Sequence, residues 1–337
     1  MKKELLKPLA RILLAAITFS FSSVLASSTN IDTSFATKTP VGFNNPVRVI
    51  KTQSDRKVLV GGTFTTYEWI SANKLIRLNA DGTKDASFVV WDGFGTTTNG
   101  ISPLTIAIQS NGKIIVGGMF SSYQGTATSS IVRLNADGSL DTSFNPGNLF
   151  PMPVKAVAIQ DDGKILVASL YTNTISRLNV DGSLDASVGI WNGTPMRDWG
   201  NNGINTIEVQ TDCKIILAGG KITFNWIDSN YIIRLNSDLT KDTSFTVGNG
   251  FDSVINTIAV QGDGKILVGG LFSNYQWTST KSIVRLNADW SKDTSFTIYN
   301  DFDSNVNAIE VQWNDKILLG GGGFKWLWTY TNYIVRV

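Results

Sequence analysis

Short segments of alternating hydrophobic and polar residues recur six times along this chain, separated by glycine-rich and polar turns. In the fifth copy, residues 255–261 alternate as a half-buried strand does, and the following Gly262-Asp263-Gly264 is typical of a hairpin turn. Residues 265–270 predict a second strand, 282–287 a third and 293–296 a short fourth. Beyond the extreme N-terminus, no segment shows helical spacing over more than a few residues. The sequence therefore predicts a nearly all-β protein.

A glutamine near the end of the first strand marks the period of the repeat. Consecutive glutamines lie 50 to 56 residues apart. A four-stranded propeller blade takes roughly 40 to 50 residues, and propellers contain about 4 to 8 blades. The sequence therefore predicts an all-β fold, a six-bladed β-propeller of four-stranded antiparallel blades. The six glutamines are Gln53, Gln109, Gln160, Gln210, Gln261 and Gln312.

The sixth copy ends at Arg336-Val337, before the Asp-x-Ser motif that follows the arginine in the other copies. The missing motif occurs near the N-terminus, as Asp32-Thr33-Ser34-Phe35. An open stack of blades would leave an unpaired strand edge at each end, which invites aggregation. We therefore expect the N-terminal strand at residues 30–35 to join the last, C-terminal blade and close the ring.

Five copies carry an arginine and an aspartate eight residues apart. A tight turn between them would place the two charges on adjacent strands, where an opposite pair stabilises a sheet modestly. We interpret these pairs as structural, and we expect the lysine after each hairpin to be solvated. The pairs are Arg77 and Asp85, Arg133 and Asp141, Arg177 and Asp185, Arg234 and Asp242, and Arg285 and Asp293. Ring closure would give Arg336 the equivalent partner, Asp32.

The repeat resembles the delta-60 repeat family, a β-propeller repeat of exported bacterial proteins. The residues that carry the resemblance are Gly-Lys-Ile-Leu-Val-Gly-Gly at 264–270, Arg-Leu-Asn-Ala-Asp-Gly-Ser-Leu-Asp-Thr-Ser-Phe at 133–144, and their partial copies. The resemblance covers residues 30–337. It implies the fold and export from the cell, but it brings no catalytic or ligand-binding residues with it.

The N-terminus has the composition of an export signal. Basic residues between Lys2 and Arg11 precede an apolar run at 12–21, and Val24-Leu25-Ala26 offers the small residues that signal peptidases prefer. We expect residues 1–26 to be a removed signal peptide and residues 27–337 to form the six-repeat propeller domain. Because the apolar run is shorter than the ~20 residues that cross a bilayer, we expect no membrane span after removal and a secreted or cell-surface protein.

The charge and the residue types narrow the possible functions. Residues 1–26 carry four basic and one acidic residue, so without them the formal net charge falls from +2 to about −1. A nearly neutral surface argues against nucleic acid as a partner. The chain has no histidine, which removes the commonest general base and transition-metal ligand. We therefore expect no enzyme activity, no catalytic residues, no cofactor and no metal.

Tryptophan stands at several positions where other copies have glycine. Trp69, Trp226, Trp277 and Trp328 each lie eight residues before the repeat arginine, where the second copy has Gly125. A bulky residue forced to positive φ costs on the order of 1–2 kcal/mol. One hypothesis is that these codons are UGA, which some bacterial lineages read as glycine. The other tryptophans at glycine positions are Trp91, Trp191 and Trp290.

We expect an exported, non-catalytic binding or scaffolding module that is monomeric and binds a protein or a glycan. One alternative is a lectin-like propeller with one tryptophan-lined pocket per blade, built by Trp69, Trp226, Trp277 and Trp328, because aromatic rings are rigid platforms for ligands with apolar faces. A second alternative is a hydrolase with its site at the propeller channel.

Overall fold

The computed structural model describes residues 42–95, 102–170, 174–187, 191–192, 203–224, 227–280, 282–296, 305–312, 315–321, 325–326, 329–330 and 334–336. All regular secondary structure in these ranges is β. The expected signal peptide at 1–26 and the expected closing strand at 30–35 lie outside the described residues, so both stay predictions.

The strands follow the repeat. The first three copies contain β1 (Val47–Thr52), β2 (Val58–Gly62), β3 (Thr66–Tyr67), β4 (Ile70–Ser71), β5 (Leu75–Leu78), β6 (Phe94–Gly95), β7 (Ser102–Ile108), β8 (Ile114–Met119), β9 (Ser122–Tyr123), β10 (Thr126–Ala127), β11 (Ile131–Leu134), β12 (Val154–Ile159), β13 (Ile165–Ser169), β14 (Thr174–Leu178) and β15 (Trp191–Asn192). The last three contain β16 (Ile204–Val209), β17 (Ile215–Gly219), β18 (Thr223–Phe224), β19 (Ile227–Asp228), β20 (Ile232–Leu235), β21 (Ile255–Val260), β22 (Ile266–Gly270), β23 (Asn274–Tyr275), β24 (Thr278–Ser279), β25 (Ile283–Leu286), β26 (Val306–Val311), β27 (Ile317–Gly321), β28 (Lys325–Trp326), β29 (Thr329–Tyr330) and β30 (Ile334–Arg336).

Each copy builds one antiparallel sheet from an inner, a middle and an outer strand. The orders are β1-β2-β5, β7-β8-β11, β12-β13-β14, β16-β17-β20, β21-β22-β25 and β26-β27-β30, and the third sheet adds β15 beyond β14. The middle strands are almost completely buried because other strands of the sheet flank them on both sides. The three strands predicted in the fifth copy are confirmed to within one residue at most ends.

The loop between the middle and outer strands contains a second, shorter hairpin in most copies, which the alternation pattern did not predict. The short hairpins are β3-β4, β9-β10, β18-β19, β23-β24 and β28-β29. Each has strands of only two residues, too short for a periodic signal. The Tyr67 hydroxyl anchors the first of them by donating to the Gly82 carbonyl at 2.8 Å.

In the first five copies, the strand expected around the Asp-x-Ser motif is reduced to a single bridge in the described residues. The prediction of four-stranded blades is therefore wrong for the first, second, fourth and fifth sheets, whereas the third sheet has β15 as its fourth strand. In the first copy the bridge joins Leu78 and Lys84. Immediately afterwards, the Asp85 carboxylate accepts hydrogen bonds from the amide and hydroxyl of Ser87 at 2.9 and 2.7 Å. This local turn ends the extended conformation before a ladder can form.

Glycine pairs at the end of the middle strand allow neighbouring sheets to approach closely. A Cβ added at Gly61 would lie 2.8 Å from Val49 Cγ1 and 3.0 Å from Pro103 Cβ of the next copy. A Cβ at Gly269 would lie 2.7 Å from Val306 Cγ1. Because a methyl group would displace the next inner strand, the first glycine sets the spacing between adjacent sheets in the copies that have it. The third and fourth copies have Ala168 and Ala218 at this position.

One buried aspartate holds each of the first five copies together. Asp85 accepts from Arg77 Nε at 2.7 Å and from Lys57 Nζ at 2.9 Å, in addition to Ser87. Burial works against ionisation of this carboxyl, but the hydrogen bonds from Lys57, Ser87 and Arg77 outweigh it and hold its pKa well below the usual range. The Arg77 guanidinium also lies 4.8 Å from the centre of the Phe88 ring.

The same cluster recurs around Asp141, Asp185, Asp242 and Asp293. The structural interpretation of the arginine–aspartate pairs is confirmed. The expectation of solvated lysines is wrong for these five copies, because each lysine is only 28–31% exposed and forms an ion pair with the aspartate.

We expect Asp85→Asn to lower the free energy of unfolding by about 2 kcal/mol or more, because Arg77 and Lys57 would keep their charges and lose their shared carboxylate. Urea titration followed by circular dichroism measures this. Asp55→Asn is the matched control: Asp55 is exposed and accepts only from the Lys57 amide, so its loss should cost less than about 1 kcal/mol. Equal effects of the two substitutions would contradict the role given to Asp85.

Candidate ligand-binding site

The inner strands of all six copies line one cavity of about 300 Å³. Its wall is formed by residues 48–51 of β1, 104–108 of β7, 156–159 of β12, 206–209 of β16, 256–260 of β21 and 307–311 of β26. These strands form backbone ladders only with their own middle strands. Across the boundaries between copies, side chains make the contacts instead.

A β-bulge near the start of each inner strand shapes this wall. In β1, Val47 pairs with Gly62 and Val49 with Gly61, which leaves Arg48 without a partner in the ladder. In a regular strand, residues three apart face opposite sides of the sheet. A bulge changes the direction of the extra residue's side chain. Arg48 and Lys51 therefore both lie on the cavity wall. The six bulge residues are Arg48, Leu104, Lys155, Asn205, Asn256 and Asn307.

Three charged residues cluster three positions further along the inner strands. Lys51 Nζ lies 3.2 Å from Glu310 Oε2, and the Thr52 amide donates to Glu310 Oε1 at 2.9 Å. The Glu310 carboxylate, against the opposing effect of burial, raises the pKa of Lys51 above its usual value. Glu208 also belongs to this cluster. The three other residues at this level are Ala107, Ala158 and Ala259.

Among the carboxyl groups of the described residues, Glu208 is the one whose pKa is clearly raised. Burial raises its pKa to about 7, with Lys51 opposing the shift and Glu310 adding to it. The folded chain therefore keeps this proton over a pH range in which the unfolded chain has lost it. As a result, Glu208 reduces stability as the pH rises from about 4.5 to about 7.

Arg48 and Lys155 are the two cations among the bulge residues. Arg48 is exposed and Lys155 half-exposed, and in the described part of the chain neither forms a hydrogen bond or an ion pair. Burial, together with the positive charge of Arg48, lowers the pKa of Lys155 to about 8. The two side chains therefore repel each other.

Asparagine and threonine side chains join neighbouring inner strands. Asn205 Nδ2 donates to the Ile255 carbonyl at 2.9 Å, and Asn256 Nδ2 donates to the Val306 carbonyl at 3.1 Å. The Val157 amide donates to Thr105 Oγ1 at 3.0 Å. These bonds replace the backbone ladder that is absent between copies.

The structure does not bring Trp69 or Trp277, the two candidate tryptophans among the described residues, to this cavity. Trp69 and Trp277 occupy the second position of the two-residue turns in β3-β4 and β23-β24, with φ of 65° and 64°, where Gly125 has φ of 77°. Their side chains are 83% and 81% exposed, so they project into solvent instead of lining a pocket. Trp226 and Trp328 lie outside the described residues.

The other tryptophans at glycine positions differ from one another. Trp290 has φ of 68° and stands where Gly138 has φ of 92°. It is buried against Phe245, with ring centres 4.8 Å apart, and its Nε1 has no hydrogen-bond partner within the described residues. Trp91 is 75% exposed but does not adopt positive φ. Trp69, Trp277 and Trp290 thus have the backbone conformation that favours glycine.

Comparison with protein families identifies the repeat. The family described as "Domain of unknown function (DUF5122) beta-propeller" matches residues 53–88, 109–144, 160–187, 210–245 and 261–296, which together make up just over half of the chain. Each match begins at a repeat glutamine, and all but the third end at the phenylalanine of the Asp-x-Ser-Phe motif. The chain belongs to this β-propeller family. The delta-60 resemblance stays a prediction.

Comparison with solved structures gives matches at low sequence identity. Virginiamycin B lyase from Staphylococcus aureus has a TM-score of 0.49 and 15% identity, over 87% of this chain and 84% of that one. A protein of unknown function from Bacteroides caccae has a TM-score of 0.47 and 12% identity, over 73% and 79%. The extracellular domain of a chain described as a hybrid two-component system from B. thetaiotaomicron has a TM-score of 0.48 and 14% identity, over 88% and 39%. No curated protein sequence matches this propeller.

Within the described ranges, cysteine, aspartate and glutamate form no group of three or more that could hold a metal ion. The same ranges include no helix with the length and apolar character needed to cross a membrane.

We expect Trp277→Gly to raise the free energy of unfolding by about 1 kcal/mol, because glycine relieves the positive φ and removes an exposed ring. Thermal melting measures this. The matched control is the reverse substitution at the same turn of the second copy, Gly125→Trp, which should destabilise the propeller by a similar amount. Destabilisation by Trp277→Gly would contradict the strain at this position.

The UGA hypothesis has its own check. Mass spectrometry of the protein purified from its native host should show glycine in place of tryptophan at residues 69, 277 and 290. A mass that corresponds to ten tryptophans, less those in any cleaved segment, would reject it.

Proposed function

We propose that the six repeats, which resemble delta-60 repeats, form a closed six-bladed ring that residues 30–35 complete. Contacts between the first and last copies support closure. Glu310 of β26 binds Lys51 and the Thr52 amide of β1. Arg336 Nη1 donates to the Ala80 carbonyl at 3.4 Å, as Arg77 Nη1 donates to the Ala136 carbonyl of the second copy at 2.5 Å.

The packing between these copies also supports closure. A Cβ added at Gly320 would lie 2.8 Å from Val47 Cγ1, which repeats the close approach of Gly269 and Val306. Buried Leu318 and Ile334 of the last sheet belong to the same hydrophobic cluster as Val47 and Phe43 of the first copy. The last copy thus meets the first much as adjacent copies meet each other.

We expect removal of residues 28–36 to lower the melting temperature markedly, because the outer edge of the last sheet would lose its partner strand. Asp32→Asn is a sharper test: if Asp32 serves Arg336 as Asp85 serves Arg77, its substitution should cost about as much as Asp85→Asn, about 2 kcal/mol. An unchanged melting curve for both variants would count against the closing strand.

We further propose that the protein is exported and acts as a non-catalytic binding module whose ligand site is the cavity between the inner strands. The observation that carries this is the cavity itself, about 300 Å³ in volume and lined by polar and charged residues from several copies. Small-molecule sites are concave, of about 300–1,000 Å³, with a few placed polar groups. Basic and apolar residues in the segment 1–26 support export.

The hydrolase alternative has one supporting observation. Glu208, whose pKa burial raises to about 7, lines the same cavity as Glu310, and two neighbouring carboxyl groups can divide the roles of acid and base. However, Lys51 and the Thr52 amide already bind both oxygens of Glu310, so this carboxyl group is not free to act on a substrate. We therefore favour binding over catalysis.

Ligand screening by thermal shift tests the binding module. We expect ligands of the cavity to raise the melting temperature of the wild type but not of the triple variant Ala107→Met, Ala158→Met, Ala259→Met, which fills the cavity. The fold should tolerate these changes, because Lys51, Glu208 and Glu310 occupy the same level in other copies.

Trp69→Gly and Trp277→Gly serve as the matched comparison in this screen. A ligand whose effect persists in the filled variant but disappears in the tryptophan variants would instead favour the lectin alternative. A shift that persists in every variant would contradict both sites.

A further inference from the structure

One carboxyl group on the cavity wall has no partner. Each inner strand contributes one residue two positions before the repeat glutamine, at the same place in the strand register. Three of these residues are charged, Lys51, Glu208 and Glu310, and all three line the cavity. Lys51 Nζ lies 3.2 Å from Glu310 Oε2. The Glu208 carboxyl, in contrast, forms neither a hydrogen bond nor an ion pair in the described part of the chain.

The chain supplies too little positive charge at this level for both carboxylates. Lys51 and Glu310 neutralise each other, so an ionised Glu208 is left uncompensated, although charges enclosed by protein are normally paired. Glu208 is half-buried, which leaves its carboxyl accessible from the cavity. Space for a partner exists because the other residues at this level are small. They are Ala107, Ala158 and Ala259.

The ion pair of Lys51 and Glu310 shows which kind of group fits a carboxylate at this level. The Lys51 ammonium is compact and has three N–H donors. A calcium ion would instead require about six to eight oxygen ligands. Within the described ranges, acidic and cysteine side chains form no group of three or more that could hold a metal ion. An organic ammonium group therefore suits Glu208 better than a metal ion does.

We propose that the cavity binds a small organic ligand through an ammonium group, which Glu208 holds as Glu310 holds Lys51. The ammonium would donate charge-assisted hydrogen bonds to the Glu208 carboxylate. The apolar part of the ligand would pack against the alanine methyl groups at the same level. This ammonium site rests on the proposed function of the cavity and specifies the chemical class of its ligand.

The affinity for such a ligand should depend on pH. Burial raises the pKa of Glu208 to about 7, with Lys51 opposing the shift and Glu310 adding to it. Arg48 is the other charged residue of the described cavity wall; Lys155 of the adjacent β12 does not line it, and β17 behind β16 has no charged residue. Below this pKa a proton competes with the ligand for the carboxylate. The affinity should therefore rise about tenfold from about pH 6 to pH 8.

Isothermal titration of the folded protein with butylammonium, which stays charged at both pH values, tests this site. Glu208→Gln keeps the shape of the side chain and removes its charge, and Glu208→Ala copies the alanine of three other copies. Each should weaken binding roughly tenfold or more at the higher pH, because charge-assisted hydrogen bonds are lost, and each should abolish the pH dependence. Butanol, an uncharged molecule of similar shape, should bind the wild type and Glu208→Gln equally.

Glu68→Gln is the matched control, because it removes the same charge from the turn between β3 and β4, outside the cavity lining. It should leave butylammonium binding unchanged. Melting curves separate ligand binding from a structural role. Without ligand at the higher pH, Glu208→Gln should melt at or above the wild-type temperature, because an unpaired carboxylate is gone. It should also lose the rise that butylammonium produces in the wild type.

Three results would overturn the ammonium site. Butylammonium does not bind at the higher pH, it binds Glu208→Gln as tightly as the wild type, or calcium chloride binds at Glu208 in its place. Failure of the proposed function is distinguishable, because the variant with the filled cavity would then respond to every ligand as the wild type does. A neutral ligand that binds the wild type but not the filled variant, without butylammonium binding, keeps the cavity as a ligand site and rejects only the ammonium site.

Discussion

The buried aspartate of the first five repeats is the interaction on which the rest of this propeller depends. One carboxylate accepts hydrogen bonds from a lysine after the inner hairpin, an arginine of the outer strand and a serine of the turn beyond it. These donors come from three separate segments of the repeat, so the aspartate fixes all of them at once. Through Nη1, the arginine also reaches the neighbouring copy. Order within a blade and order between blades are thus coupled through one ionised group.

The buried aspartate does not join the inner strands of neighbouring copies to one another. They form no backbone ladder with one another, and side chains such as Thr105, Asn205 and Glu310 make the contacts between copies. The bulge in each strand turns one residue toward the cavity without disturbing the sheet behind it. Residues at these positions can therefore vary without loss of the fold, and they do: arginine, leucine, lysine and asparagine all occur there.

Positions that are constant among the copies and positions that vary have different roles, and this difference allows a repetitive chain to form a specific site. Positions that are the same in most copies hold the blade together, as Asp85 of the first copy and its counterparts in the next four show. Positions that differ between copies, such as Arg48, Glu208 and Glu310, give the cavity wall its charged groups. The exposed tryptophans differ between copies too, but Trp69 and Trp277 project from turns whose backbone suits glycine, and no wall surrounds them.

The sequence by itself determined the strands, the period and the arginine–aspartate pairs, because each depends on residues close together in the chain. Alternation locates β21, β22 and β25, and the spacing of eight residues places Arg285 beside Asp293. The short hairpins with two-residue strands were not predicted, because strands of that length show no alternation of hydrophobic and polar residues. Only the tertiary structure decided that the lysines pair with aspartate, that a bulge turns Arg48 to the cavity, and that Lys51 and Glu310 meet there. Those outcomes depend on side-chain contacts and strand register, and local pattern carries no information about which residues far apart in the chain come together.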